Sequence, residues 1–266
     1  MTDVLDSPGG SDGWTMDQAD GLRRLFARTG CTILPLVSNP HVKASGVAVE
    51  RLTATLALQG RKTLVVDAGE TSPPPAEASA LELAPCIERL SPRIAYLAAR
   101  GLPRRYVDTH GSAARLLDEL TRLVPDAEVL LLHASASDLA RLCTGRSLRP
   151  VVLAPDHPEG VKHAYAGIKL LAQRARWLSF DLLMLAPDRS PRVDPICKTL
   201  ADCADQFVGA SLHDWARIDP LTPAREAPSA PLQALVQAHF ELDGSASPST
   251  WQAASGAAAK TSARRN

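Results

Sequence analysis

Short, wholly apolar runs alternate along this chain with stretches in which apolar residues recur every three or four positions. Residues 32–37 (TILPLV) form one such run. Residues 47–58 follow, with Val49, Leu52 and Leu56 on one helical face and Gly60 as a stop. Residues 62–67 (KTLVVD) then read as a β-branched strand that closes on a carboxylate. Two strands without a polar face, joined by an amphipathic helix, predict a parallel βαβ unit buried on both sides. The alternation continues, with strands at 93–97, 128–133, 149–153, 178–185 and 215–218 and helices at 112–123, 137–143, 160–176, 194–206 and 231–240. It predicts an α/β fold: a single doubly wound, mostly parallel β-sheet with helices on both faces. No internal repeat of fixed period is present.

The flanks read differently. Residues 1–14 carry little to bury and predict a disordered N-terminus. Residues 15–29 predict a helix: Thr15 and Gln18 form a capping box, Asp17 sits in the first turn, and Arg23, Arg24 and Arg28 crowd the other end before Gly30. Its apolar stripe (Ala19, Leu22, Leu25, Phe26) is narrow, which fits either a helix packed on its own domain or a peptide-like element offered to a partner. The ordered domain is expected over 30–243, interrupted at 70–85 by a loop with three consecutive prolines. Residues 244–266, dominated by Ala, Ser and Gly, predict a disordered tail.

Composition narrows the function classes. Of 266 residues, 45% are hydrophobic and 4% aromatic, so the core is expected to be built from Leu, Val and Ala. Lys plus Arg and Asp plus Glu are 29 each, which leaves no overall field to draw the chain to nucleic acid. The five cysteines contain no CxxC pair, against a disulfide frame or zinc site. No apolar run approaches the roughly 20 residues of a membrane span, and the acidic N-terminus shows no signal peptide. A cytoplasmic location is the expectation.

Candidate chemistry centres on the turn after the first strand, where α/β proteins usually place phosphates. Here it reads Ser38-Asn39-Pro40-His41-Val42-Lys43-Ala44-Ser45-Gly46. A phosphate cradle needs several glycines and a Lys followed by Ser or Thr. This turn has one glycine, at its end, a proline without an N–H, and Lys43 two positions before Ser45. His41, His133 and His157 all follow strand ends and could meet there, but no HxH or HExxH spacing supports a metal site. Ser135 and Ser137 lack a GxSxG elbow. Asp67 is expected to cap the turn that follows it, Cys197 and Cys203 to be packing residues, and Pro155, Asp156 and Pro158 to shape a turn.

In order along the chain, Asp17-Gln18-Ala19-Asp20-Gly21-Leu22-Arg23-Arg24, residues 60–68 (GRKTLVVDA), residues 164–169 (AYAGIK) and residues 204–209 (ADQFVG) resemble one family. It is the MinD/ParA-like branch of the P-loop ATPases, and within it the flagellar-number regulators (FlhG, also called FleN). The resemblance spans about residues 17–240 and implies a MinD-like P-loop NTPase (SIMIBI-type) fold. It departs from the family at the chemistry. Asn39 to Gly46 stand where the family has its GKGGVGKT loop, with Pro40 and Ser45 in place of the two lysines and Gly46 in place of the Mg²⁺-binding threonine. Asp67-Ala68-Gly69 lacks the second aspartate of the family's DAD, His133 replaces the Walker-B aspartate, and the strand ending at Leu185 lacks the adenine-recognising Asn. ATP turnover depends on positioning and neutralising phosphates, so these losses together imply a pseudo-ATPase without ATP or Mg²⁺ as cofactors and without catalytic residues.

The resemblance also implies a partner, the SRP-type flagellar GTPase (FlhF), docked and stimulated by the helix that carries Asp17, Gln18, Ala19, Leu22 and Arg23. It extends to flagellar switch or transcription-regulator proteins, and to recruitment to the cell pole or inner-membrane surface. The 231–240 helix has an apolar stripe (Leu232, Leu235, Val236, Phe240) but no Lys or Arg on its polar face, so only weak membrane-surface association is expected. Two other readings stand beside this one. One is an active ATPase in which Lys43 and Asp67 serve; the other is a cytoplasmic scaffold of another MinD-like system.

Overall fold

Each apolar run of the sequence becomes a strand, and the computed structural model, which describes residues 31–75 and 82–241, assembles them into one sheet. The strands are β1 (Thr32–Val37), β2 (Thr63–Asp67), β3 (Glu88–Ser91), β4 (Ile94–Ala98), β5 (Val129–Ala134), β6 (Val151–Pro155), β7 (Ser179–Leu185) and β8 (Ser211–Ile218). Their spatial order is β3-β4-β2-β5-β1-β6-β7-β8. All neighbours are parallel except β3 and β4, which form an antiparallel hairpin at one edge. The helices are α1 (Ser45–Leu58), α2 (Leu102–Arg105), α3 (Ala114–Leu123), α4 (Ala136–Leu142), α5 (Pro158–Ala175), α6 (Val193–Val208) and α7 (Ala230–Glu241). The predicted doubly wound α/β sheet is the one observed.

Alternation along the central strands sorts side chains between two layers. Leu34 and Leu36 of β1, Leu131 of β5, Leu153 of β6 and Leu183 of β7 join Leu52 and Leu56 of α1 and the inner face of α7 in one buried cluster. Helix α5 covers the other face; its Gly167 lies close enough that a Cβ there would meet Val37 at 3.4 Å. Burial on both faces explains why these strands are continuous apolar runs.

The structure corrects several expectations. Leu232, Leu235 and Val236 of α7 are buried in the chain's own core, and α7 packs on α1 and β8. The stripe considered for a membrane surface is therefore already covered, and Phe240 carries the Arg61 guanidinium 4.9 Å from its ring centre. Strand β3 was not foreseen: Glu-Arg-Leu-Ser has no alternation to read, and its Leu90 is exposed. Helix α2 is a single turn that starts around Pro103. Strand β8 begins at Ser211, earlier than the 215–218 expected, because it pairs with β7 from Ser179 onwards. All five cysteines are free; burial pushes the thiols of Cys143 and Cys197 up to about 12. No helix among the described residues is long and apolar enough to cross a membrane. The helix expected at 15–29 and the tail from 244 lie outside the described residues, as do Asp17, Gln18, Ala19, Leu22 and Arg23.

Candidate functional site

Parallel strands place all their C-terminal ends at one edge, and the turns leaving β1, β2, β5, β6 and β7 meet there. In open α/β sheets this is the edge that holds ligands. Here the turns hold one another.

The β1–α1 turn is anchored by Asn39, which is buried. Its Nδ2 donates to the carbonyls of Leu153 at 3.0 Å and Gly160 at 2.9 Å, and its Oδ1 accepts the His41 N–H at 3.1 Å. One side chain thus ties the turn to the end of β6 and the start of α5. Val42 adds an apolar anchor, being 2% exposed within the core cluster. The Val42 N–H is taken by the Asn39 carbonyl and the Ser38 N–H by the Ala134 carbonyl. A phosphate cradle needs successive free N–H groups converging on one point; in this turn the Ser38, His41 and Val42 N–H groups are engaged internally. Ser45, expected from the resemblance to stand where that family has its phosphate-binding lysine, is buried and shares a hydrogen bond of 2.9 Å with Thr71. Pro40, Lys43 and Gly46 are exposed, and Lys43 makes no ion pair among the described residues.

The β2 and β5 ends form the second part of the site. The register sets Asp67 directly beside His133. His133 Nδ1 donates to Asp67 Oδ1 at 2.6 Å, the Ser72 hydroxyl donates to the same oxygen, and the Tyr96 phenol donates to Oδ2 at 3.1 Å. Burial works to raise the Asp67 pKa, but the His133 hydrogen bond and charge, with Ser72 and Tyr96, outweigh it and hold the carboxyl below its ordinary value. Burial and the Asp67 charge push the Tyr96 phenol up. Asp67 therefore does cap the turn that follows it, through Ser72. His133 is 1% exposed, and its Nε2 is buried with no hydrogen-bond partner.

Gly69 leaves no room for a side chain. A Cβ on Gly69 would lie 2.4 Å from His133 Cε1 and 2.8 Å from both His133 Nδ1 and the Ser72 hydroxyl. The imidazole occupies the space an aspartate side chain would need.

The remaining turns are knitted in the same way. Asp156 accepts the Ser190 hydroxyl at 2.6 Å, linking the turns after β6 and β7. Leu185 ends β7 inside the core, and the Ala186 N–H bonds the Ile218 carbonyl at 3.1 Å. Ser135 caps α4 by accepting the Asp138 N–H at 3.2 Å, a structural task rather than a nucleophile's.

The three histidines that follow strand ends, His41, His133 and His157, do not form one cluster. His133 pairs with Asp67, whereas the His41 ring stands edge-on to His157 at 6.0 Å and to His163 at 5.8 Å between centroids. Burial lowers the His163 pKa, Glu70 opposes this and His41 adds to it. No group of three His, Cys, Asp or Glu among the described residues could hold a metal ion. Tyr96, Ser72 and His163 were not singled out from the sequence. The available signal was a phenol set within an otherwise apolar strand (IAYLA).

No family model matches this sequence, and no curated protein sequence matches it either. Solved structures do. The MinD cell division protein of Aquifex aeolicus aligns over 82% of this chain and 98% of its own, with a TM-score of 0.53 and 10% identity. Cobyrinic acid a,c-diamide synthase from Mycobacterium smegmatis, solved with a bound ATP analogue and magnesium, aligns over 80% and 96%, with a TM-score of 0.56 and 17% identity. A plasmid partition protein from Borrelia burgdorferi bound to AMPPNP aligns over 80% and 98%, with a TM-score of 0.56 and 8% identity. Likeness at these identities speaks to architecture alone. The chain carries the fold of the MinD/ParA-type P-loop ATPases.

Proposed function

We propose that this chain is a partner-binding regulator built on a nucleotide-binding fold that no longer turns over ATP. The observation that carries the reading is the Asp67–His133 pair. The resembled family has further aspartates at these strand ends; here the Asp67 carboxylate is spent on an imidazole, a hydroxyl and a phenol. The β1–α1 turn supports it, because Asn39 and Val42 fasten the segment that would wrap a phosphate. Phosphoryl transfer relies on positioning and charge neutralisation, and neither the lysines nor the metal hydroxyl that supply them stand in this turn.

The finer reading rests on the resemblance of residues 17–24 to the activator helix of the flagellar-number regulators. In that reading the chain docks on an SRP-type GTPase and stimulates GTP hydrolysis, with Gln18 and Arg23 at the contact and Asp17 and Leu22 fixing the helix. Without nucleotide-driven dimerisation the activator is not gated by ATP. GTP hydrolysis by the partner GTPase, measured with the full chain, with a version lacking residues 1–29 and with no addition, tests it. Stimulation by the full chain alone is expected, and Gln18→Ala is expected to fold normally and lose it. No stimulation by either version removes the activator reading. Saturable Mg-ATP binding at sub-millimolar concentration removes the pseudo-ATPase reading instead.

A further inference from the structure

Strand β8 closes one side of the sheet and pairs only with β7. Their register slips near the start: Phe180 lies opposite Leu212, but Leu182 lies opposite Trp215, so His213 and Asp214 together face Asp181. Such a bulge breaks the ladder of backbone bonds. Here a side chain repairs it. The Asp214 N–H donates to Asp181 Oδ1 at 3.1 Å, while the Asp181 N–H is taken on the other side by the Pro150 carbonyl at 2.9 Å. Arg149, which precedes β6, adds a clamp. Its Nη2 donates to the same Asp181 Oδ1 and, at 2.6 Å, to Asp214 Oδ2.

Everything here hangs on one oxygen. Asp181 is 0% exposed, and its Oδ2 and the Arg149 Nε are buried with no hydrogen-bond partner. A buried carboxylate whose second oxygen is bare is costly, and a proton on that oxygen removes the charge. Burial accordingly raises the Asp181 carboxyl to about 6, with Arg149 and the Asp214 N–H opposing and the Asp214 charge assisting. The other titratable neighbour on β8 is His213, lowered by burial and by Arg149 and raised by Asp214. Asp181 shares a face with Leu183 and Leu185, covered by α1 and α7. The buried ionisable side chains of those helices are Arg51, which donates to the Glu226 and Ala227 carbonyls, and His239, whose Nε2 lies 3.4 Å from the Ile33 carbonyl. The charged residues of α6, which also packs on β8, are exposed.

We propose that the Arg149–Asp181–Asp214 cluster is a proton-operated latch on the edge strand: a proton taken up at Asp181 Oδ2 hands Arg149 over to Asp214 and loosens the bulge at the start of β8. A neutral carboxyl holds the same donors about half as strongly as a carboxylate, whereas Asp214, half exposed, keeps its charge and its hold on Arg149. The effect on the whole fold has the opposite sign. Because the folded-state pKa of Asp181 is raised, its contribution to stability is complete below the ordinary carboxylate range and is lost as pH rises through about 6. Mild acid thus relieves the buried charge while it loosens one local attachment. The latch does not depend on the pseudo-ATPase reading, because none of these residues belongs to the turns after β1, β2 and β5.

The test is a pH titration of the full chain that follows the backbone amide of Asp214 by NMR, since its N–H donates directly to Asp181. A single step with its midpoint near pH 6 is expected, with weaker protection from hydrogen exchange at Asp214 and Trp215 on the acid side once intrinsic rates are removed. Asp181→Asn, a neutral isostere, is expected to abolish the step and to hold the Asp214 amide at its acid-side position throughout. Asp214→Asn changes only a half-exposed group, so it keeps the fold, and is expected to lower the midpoint, because it removes a neighbouring negative charge and leaves Arg149 to Asp181 alone. His213→Gln is expected to leave the step in place. A flat Asp214 amide, a midpoint that Asp214→Asn does not move, or a step that His213→Gln abolishes would overturn the latch.

Discussion

The two edges of this one sheet have opposite characters. At the C-terminal edge, where the fold usually does its chemistry, polar side chains are turned on one another: Asn39 on Leu153 and Gly160, Asp67 on His133, Ser72 and Tyr96, Asp156 on Ser190. The orphans left there, Ser38 Oγ and His133 Nε2, are sealed from solvent. At the N-terminal edge the Thr63 hydroxyl is buried without a hydrogen-bond partner, and the Arg149 guanidinium bridges buried Asp181 and exposed Asp214 with its Nε unpaired. Burial there pushes the Asp181 carboxyl up to about 6 in spite of Arg149. The contrast teaches that an edge where this fold usually does its chemistry can be filled by its own polar groups. Each group buried there needs a partner within the protein, since a buried polar atom left alone is costly.

The largest effect is expected from placing at Gly69 the aspartate of the resembled family. Gly69→Asp forces a side chain to within 2.4 Å of the His133 ring and buries a second carboxylate beside Asp67. A loss of about 4 kcal/mol, seen as a fall of roughly 8–16 °C in Tm, is expected. Gly69→Ala in a His133→Ala background should cost much less than in the wild type, and a double-mutant cycle reads the difference. Equal costs in both backgrounds would mean that the imidazole is not what excludes the side chain.

Next comes the carboxylate. Asp67→Asn breaks a buried pair and is expected to cost about 3 kcal/mol at neutral pH in chemical denaturation. The pH dependence follows from the sign of the shift. The folded-state pKa of Asp67 lies below its ordinary value, so its contribution is complete above the ordinary carboxylate range and is lost as pH falls through the folded value. The wild type should therefore lose stability more steeply than the variant below about pH 4, and the two curves should converge in acid. Parallel curves would show that Asp67 is not held ionised by these neighbours.

Much of the fold was legible because strands buried on both faces, such as Leu64-Val65-Val66 and Leu130-Leu131-Leu132, announce themselves by composition alone. The site was half legible. The missing glycines and lysines of the β1–α1 turn could be read directly, and so could His133 at the end of β5. What replaced them could not. The Asp67–His133 bond depends on a register between strands 66 positions apart, and Tyr96 and Ser72 enter from two further segments. The Asn39 bonds reach 114 and 121 positions along the chain. Local pattern carries no such distances. The exposed hairpin strand β3 escaped for the opposite reason, since a polar edge strand has no buried face to print on the sequence.

A smaller effect is expected at the turn itself. Asn39→Ala leaves the Leu153 and Gly160 carbonyls without their donor at a buried position, for a cost of about 2 kcal/mol. Hydrogen exchange at residues 40–44 should quicken, while strands β1 and β5 stay protected. Unchanged exchange would mean that Val42, rather than Asn39, holds the turn.

The smallest effect is also the most direct test of why the site is closed. By the resemblance Gly46 corresponds to that family's metal-binding threonine, and a Cβ added there meets nothing within 4 Å. Gly46→Thr should therefore fold as well as the wild type, within about 0.5 kcal/mol, and a helix gains slightly when glycine is replaced in its first turn. It should still show no thermal shift with Mg-ATP. The reason is geometric: restoring one hydroxyl neither frees the turn from Asn39 and Val42 nor returns a lysine to position 45, where Ser45 is buried against Thr71. If Gly46→Thr alone gained saturable Mg-ATP binding, the internal bonds at this edge would be a weak latch, and the single missing hydroxyl would be what keeps nucleotide out.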